Sequence, residues 1–198
     1  MIRARAAGAA LVAGVLLTAG MATATSVQKF SIKDLSTKSN AIVRATVESA
    51  VSEQDATSRE IYTYVTLRVV EPVKGATKDQ ILTIRQLGGE VGTLASIVPG
   101  MPSFKATEEV VVFLTEKDHS GHSWVMGLQQ GKYSIRTDAK GMKFVRNDLE
   151  DLKLVEPDGS VREAPRGRHE LSLESFLGRV RTELNEAGRI EVSPSEPE

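Results

Sequence analysis

Between Ile61 and Gly75 the chain alternates between apolar and polar positions in its longest clean run, IYTYVTLRVVEPVKG. Ile61, Thr63, Val65, Leu67 and Val69 fall on one side of an extended backbone, and Tyr62, Tyr64, Thr66, Arg68 and Val70 on the other. Successive strand side chains point to opposite faces, so the first set predicts a core face and the second a partly wet one. Pro72 removes a ladder donor, and Lys74-Gly75 turns the chain.

The same period organises the flanks. Ala41 to Val51 alternates, with Val43, Ala45 and Val47 inward, and the polar stretch Ser52 to Arg59 makes it an antiparallel neighbour of the central strand. Gln80 to Gln86 predicts a third strand and Thr93 to Val98 a short fourth. Glu109 to Leu114 is almost wholly apolar and suits a strand buried on both faces. Trp124 to Leu128, Lys132 to Arg136, Met142 to Arg146 and Leu149 to Val155 continue the series, with turns at Pro99-Gly100 and Asp138 to Gly141. Helical signals sit only near the ends. Ser26 to Lys38 reads as helical, with Ser31 as cap and Asp34 in its first turn. Leu173, Phe176, Leu177, Val180 and Leu184 make one stripe of a second, amphipathic helix over 171–187, capped by Ser172 and stopped by Gly188.

Short strands with regular turns and no helix between them predict a mainly β fold, an antiparallel OB-like or closed β-barrel with a short N-terminal helix and a C-terminal amphipathic helix. Residues 1–24 read as a signal peptide: Arg3 and Arg5 precede an apolar run, and Ala22-Thr23-Ala24 supplies the cleavage pattern. The barrel domain is then 25–156, followed by a charged linker 157–170, the helix 171–187 and a disordered tail 188–198.

Composition narrows the function. The net charge of −1 gives no basic excess for phosphate binding, so nucleic acid is not the expected partner. No second apolar stretch approaches membrane length, so no membrane contact is expected after cleavage, and the protein is read as a secreted or periplasmic monomer. Absence of cysteine excludes thiol catalysis, cysteine-based zinc sites and disulfides.

Chemistry-bearing motifs are sparse. Asp118-His119-Ser120-Gly121-His122 places two histidines and a carboxylate together, but without a further nearby ligand it reads as a solvated hairpin tip. Ser123 lacks the closing glycine of a nucleophile elbow, and His169 lies in the charged linker. Glu108-Glu109 and Asp148, Glu150 and Asp151 are carboxylate groups without glycosidase or calcium-loop spacing. Trp124 is assigned to the core. No catalytic residue, metal or cofactor is expected. The corner Gly88-Gly89-Glu90-Val91-Gly92 offers backbone groups beside a strand. With Tyr62, Tyr64 and Arg68 it makes up the expected binding surface, unless the C-terminal helix covers the tyrosines.

The ordered series AIVRATV, IYTYVTLRVVEPVKG, GGEVG, PGMPSF, EEVVVFL and GLQQGKYSI resembles a set of uncharacterised secreted bacterial proteins over Ile32 to Leu154. In architecture it also resembles the netrin-like, OB-type barrel of metalloprotease inhibitors. Those inhibitors use an N-terminal cysteine that this chain lacks, so the resemblance implies a fold and no inhibitory residue. The expected function is a non-enzymatic domain binding another protein, with an extracellular protease as one such partner. The alternatives are a small-molecule, glycan or metal-ion binder using the barrel mouth, and a hydrolase with an unrecognised carboxylate pair.

Overall fold

The alternating run forms the heart of a seven-stranded antiparallel sheet. The computed structural model describes residues 26–147, 149, 153–163 and 170–192. The leader 1–24, Asp148, Glu150, Asp151, His169 and the tail from 193 lie outside the described residues. In chain order the elements are β1 (Ser26–Gln28), α1 (Ile32–Lys38), β2 (Ala41–Gln54), β3 (Ile61–Lys74), β4 (Ile81–Leu87), β5 (Gly89–Val91), β6 (Leu94–Ser96), β7 (Glu109–Leu114), β8 (Lys132–Thr137), β9 (Lys143–Arg146), β10 (Lys153–Val155), β11 (Val161–Glu163), β12 (Leu171–Ser172) and α2 (Leu173–Val192). The large sheet runs β12-β9-β8-β7-β2-β3-β4, β5 and β6 make a separate hairpin, and β1-β10-β11 form a small third sheet.

Alternation decides which face is inside. Val43, Ala45 and Val47 of β2, Val65, Leu67 and Val69 of β3, Ile84 of β4 and Val110, Val112 and Leu114 of β7 share one buried cluster with Val125. Each apolar side chain removed from water there contributes about 1.5–3 kcal/mol for a Val or Leu. The opposite face of β7 is also buried. Val111 and Phe113 join Ile42 and Val145 beneath Leu35 of α1 and Leu173, Phe176, Leu177 and Val180 of α2. The unbroken Val110–Leu114 run is therefore covered on both sides.

The β2–β3 ladder contains register shifts at Ile42/Val43, Arg44/Ala45 and Val47/Ser49, which let the long pair bend. The sheet ends at β12 and β4 and does not close on itself among the described residues. Between β4 and β7 lie two isolated bridges, Ile84 to Ser123 and Leu114 to Val125. The expected strand Trp124–Leu128 is reduced to those contacts. Gly127 and Leu128 adopt left-handed backbone (φ 66° and 59°), and a 3-10 turn over Leu128–Gly131 follows.

The ends also depart from the sequence reading. Ser26–Gln28 is a strand parallel to β10 rather than the start of a helix. The helical signal begins at the Ser31 cap, whose hydroxyl accepts from the Asp34 N–H while the Asp34 carboxylate accepts from the Ser31 N–H. Buried Gln130 clamps this entry from a distance: its Oε1 accepts from the Phe30 N–H at 2.9 Å and its Nε2 donates to the Gln28 carbonyl at 2.8 Å. Val161–Glu163, expected as linker, pairs with β10. Leu171 and Ser172 form a strand beside β9, so α2 starts at Leu173, with the Ser172 hydroxyl accepting from the Ser175 N–H. The helix passes through Gly188 to Val192. That glycine costs roughly 1 kcal/mol of helix propensity without ending the helix.

Candidate functional site

Tyr62 and Tyr64 stand half-buried on the outer face of β3, and α2 does not cover them. The helix packs over Phe113 and Tyr133 instead. Cross-strand register puts Val51 of β2 and Arg85 of β4 on either side of Tyr64. The Arg85 side chain then leans over the neighbouring tyrosine, its guanidinium carbon 3.8 Å from the Tyr62 ring centre and 5.5 Å from that of Trp124. Tyr62 and Trp124 meet edge to face at 6.4 Å, and Tyr64 and His122 at 5.3 Å. A cation held against aromatic faces is worth about 0.5–1 kcal/mol when exposed and more when dry.

The 118–124 loop supplies the Trp and His, and Asp118 sets its shape. One Asp118 oxygen accepts from the Ser120 N–H (2.9 Å), the Ser120 hydroxyl (2.6 Å) and the His122 N–H (3.1 Å); the other accepts from the Trp124 indole (2.9 Å). The Ser120 hydroxyl and the Trp124 indole, reinforced by the backbone donors, hold the Asp118 carboxyl well below the usual carboxylate range. Arg85 donates to the Ser120 oxygen at 3.1 Å, so the loop is tied to the strand it faces. With both oxygens engaged, Asp118 is a loop organiser. Among the described residues no three His, Asp or Glu side chains are grouped to hold a metal. Nor do Asp118, Ser120 and His122 have triad order: the carboxylate binds the serine, and the His122 ring lies against Tyr64.

Arg68, expected between the tyrosines and the glycine corner, lies elsewhere. It pairs with Glu48 and sits opposite Ile81, whereas the Gly88 N–H bonds Ile61 at the other end of β3. The arginine of the tyrosine wall is Arg85. Its signal in the sequence was alternation: Arg85 is out of phase with inward Ile84 and in register with Tyr64. Trp124, expected in the core, is half-buried at the wall's edge.

The glycine corner opens on a different side. Gly89, Glu90 and Val91 form β5, Gly92 (φ 60°) turns the hairpin, and β6 pairs back. Gly89 has φ 135°, and a Cβ there would come within 2.3 Å of the Ser52 hydroxyl and 2.4 Å of Thr63 Oγ1. Only glycine lets the corner press on those hydroxyls. Thr63 donates to the Gly88 carbonyl at 2.7 Å, and Ser52 and Thr63 oxygens lie 2.9 Å apart. Beside them is a cleft of about 450 Å³ reaching to Met101, Pro102 and Phe104. The residues of the expected binding surface thus separate into two places, a wall with Tyr62 and Tyr64 and a cleft bordered by Gly88, Gly89 and Glu90. Val91 and Gly92 stand on the hairpin beyond the cleft.

Glu108 and Glu109 also diverge. Burial pushes Glu108 upward, but Lys132 and Ser134 bonding wins and lowers it; burial of Glu109 is likewise outweighed by Lys143 and Arg44. Each carboxylate has its own cation partners, an arrangement of structural ion pairs. Among the described residues no helix is long and apolar enough to cross a membrane. Comparison with known families, characterised proteins and solved structures returned no match.

Proposed function

We propose that this chain is a secreted, non-enzymatic β-domain that binds another protein through the wall formed by Tyr62, Tyr64, Arg85 and Trp124. The observation that carries the reading is Arg85 stacked 3.8 Å over Tyr62, with Trp124 beside it, on sheet surface that neither helix covers. Tyr, Trp and Arg dominate the energetics of protein interfaces, and rings already fixed by neighbours lose little freedom on binding. Exposed Val51, opposite Tyr64 on β2, extends the apolar surface on one side. An OB-like barrel is the architecture we favour: the bridges through Ser123 and Val125 support a wall that curves from β4 back to β7. Secretion rests on the leader pattern of residues 1–24.

Affinity capture from the secreted proteins of the source organism tests the reading, with wild-type chain and the Arg85→Ala/Trp124→Ala variant as baits. A partner retained by wild type and lost by the variant is expected. Equal recovery of that partner by a folded variant overturns the assignment of this wall.

A further inference from the structure

We propose that the open edge of β4 takes an extended segment of a partner protein as an added strand, held by backbone hydrogen bonds at Ile81 and Thr83. β4 is the last strand of the large sheet. Alternate residues of an antiparallel edge strand turn their N–H and carbonyl groups toward the sheet and away from it. Two bonds fix the phase here. The Val69 N–H donates to the Gln80 carbonyl at 2.9 Å, so Gln80, Leu82 and Ile84 turn toward β3. The Arg85 N–H donates to the Ser123 carbonyl at 3.0 Å, so Ile81, Thr83 and Arg85 turn outward.

The 118–124 loop occupies only the Arg85 end of this edge. Ser123 makes a single parallel bridge to Ile84, and the loop and β4 then part. Between them lies a cavity of about 530 Å³, bordered by Gln80 to Ile84 on the strand side and by Glu116, Lys117 and Gly121 on the other. Among the described residues no strand pairs with Ile81–Thr83 on this side. The groups left there are the Ile81 N–H, the Ile81 carbonyl and the Thr83 N–H, a donor, an acceptor and a donor at the repeat of a β-ladder. The backbone of another strand presents the complement, acceptor, donor and acceptor, at the same repeat, and that match selects an extended peptide. In strand addition the main-chain bonds supply affinity and alternate side chains supply selectivity. Ile81 (46% exposed) and Thr83 stand on the outer face of β4, whereas half-buried Leu82 shares the inner face with Ile84. An added segment of alternating character would rest its apolar side chains beside Leu82. The opening spans only Ile81 to Thr83 and is stopped at one end by the loop, so it suits a flexible segment better than the edge of a second folded sheet. Tyr62, Tyr64, Arg85 and Trp124 do not line this cavity, and the inference stands apart from the reading of the aromatic wall.

NMR titration of the full chain with the peptide acetyl-Lys-Thr-Val-Thr-Val-Thr-Lys-amide provides the test. The Ile81 and Thr83 backbone amides should shift together, saturate and exchange more slowly with solvent. Two analogues sharpen it, one N-methylated at both valines and one at the two threonines that follow them. Only one alternate set of peptide N–H groups faces β4, so one analogue should bind like the parent and the other roughly tenfold more weakly or worse. Thr83→Pro removes an outward donor that the β3–β4 ladder does not use, and it should weaken the parent peptide by a similar factor. No saturable shift at Ile81 and Thr83 overturns the proposal, as does equal binding, or equal loss of binding, by the two analogues. Undiminished binding in folded Thr83→Pro also overturns it; if that variant does not fold, the analogue pair on wild type decides alone. Shifts at Ile81 and Thr83 that grow with protein concentration in the absence of peptide would assign the edge to a second copy and overturn the partner assignment.

Discussion

Two aromatic clusters stand on the outer face of the large sheet. Phe113, Tyr133 and Phe176 meet ring to ring, with centroids 4.4–6.3 Å apart, beneath α2. Tyr62, Tyr64, His122 and Trp124 meet at similar spacing, but what lies over Tyr62 is the side chain of Arg85. The first cluster has been closed by another part of the chain. In the second, the aromatic rings remain half-buried and are held in place by a loop anchored on Asp118. Ring contacts alone therefore do not separate packing from recognition. What covers the rings does.

The sharpest way to break the comparison is to empty the covered cluster. Phe176→Ala removes a side chain that is 1% exposed and in contact with two other rings, and it should cost about 3–5 kcal/mol in urea unfolding. A loss below about 1 kcal/mol would mean that α2 adds little to the core. Trp124→Ala should behave in the opposite sense. It should lower partner affinity by about 2 kcal/mol or more in calorimetric titration while reducing stability by less than the Phe176 change. The reverse ranking would make the wall a packing feature.

Acid separates the regions further. The Asp118 carboxyl is depressed by its four donors, so its ionised form supports the loop at neutral pH and continues to do so as pH falls past the ordinary carboxylate range. Support is lost only as pH drops through the depressed value. Trp124, the chain's single tryptophan, should report this as a fluorescence change confined to strongly acidic solution and absent from Asp118→Asn at any pH. A wild-type transition at neutral pH would overturn this account of the loop. The smallest effect is expected from Arg68→Ala. Its ion pair with Glu48 is about half exposed, so the change should cost at most about 1 kcal/mol and leave partner affinity unaltered.

The regular elements were legible because period-2 alternation reports directly on a sheet with one buried face. Val65, Leu67 and Val69 are fully buried as that pattern demands, and Ser31 and Ser172 cap the helices they precede. The Trp124–Leu128 segment misled because its apolar residues, Trp124, Val125 and Met126, carry no mark of the left-handed turn at Gly127-Leu128. Site geometry was harder still. Arg68 and Arg85 look equivalent along the chain, and only the β3–β4 register shows that Arg85 faces Tyr64 while Arg68 lies rows away beside Ile81. The buried, unpaired amide of Gln86 was invisible too, since it is a property of surroundings that sequence does not print.

The Gln130 clamp has a consequence for the order in which the chain folds. Gln28 and Phe30 are held by a side chain at least 100 positions away, and β1 pairs with residues further on still. Closing so long a loop is entropically slow compared with forming the β2–β3 hairpin. The entry segment is thus expected to dock after the β2–β3 hairpin has formed, once Gln130 and Lys153–Val155 are in place to receive it.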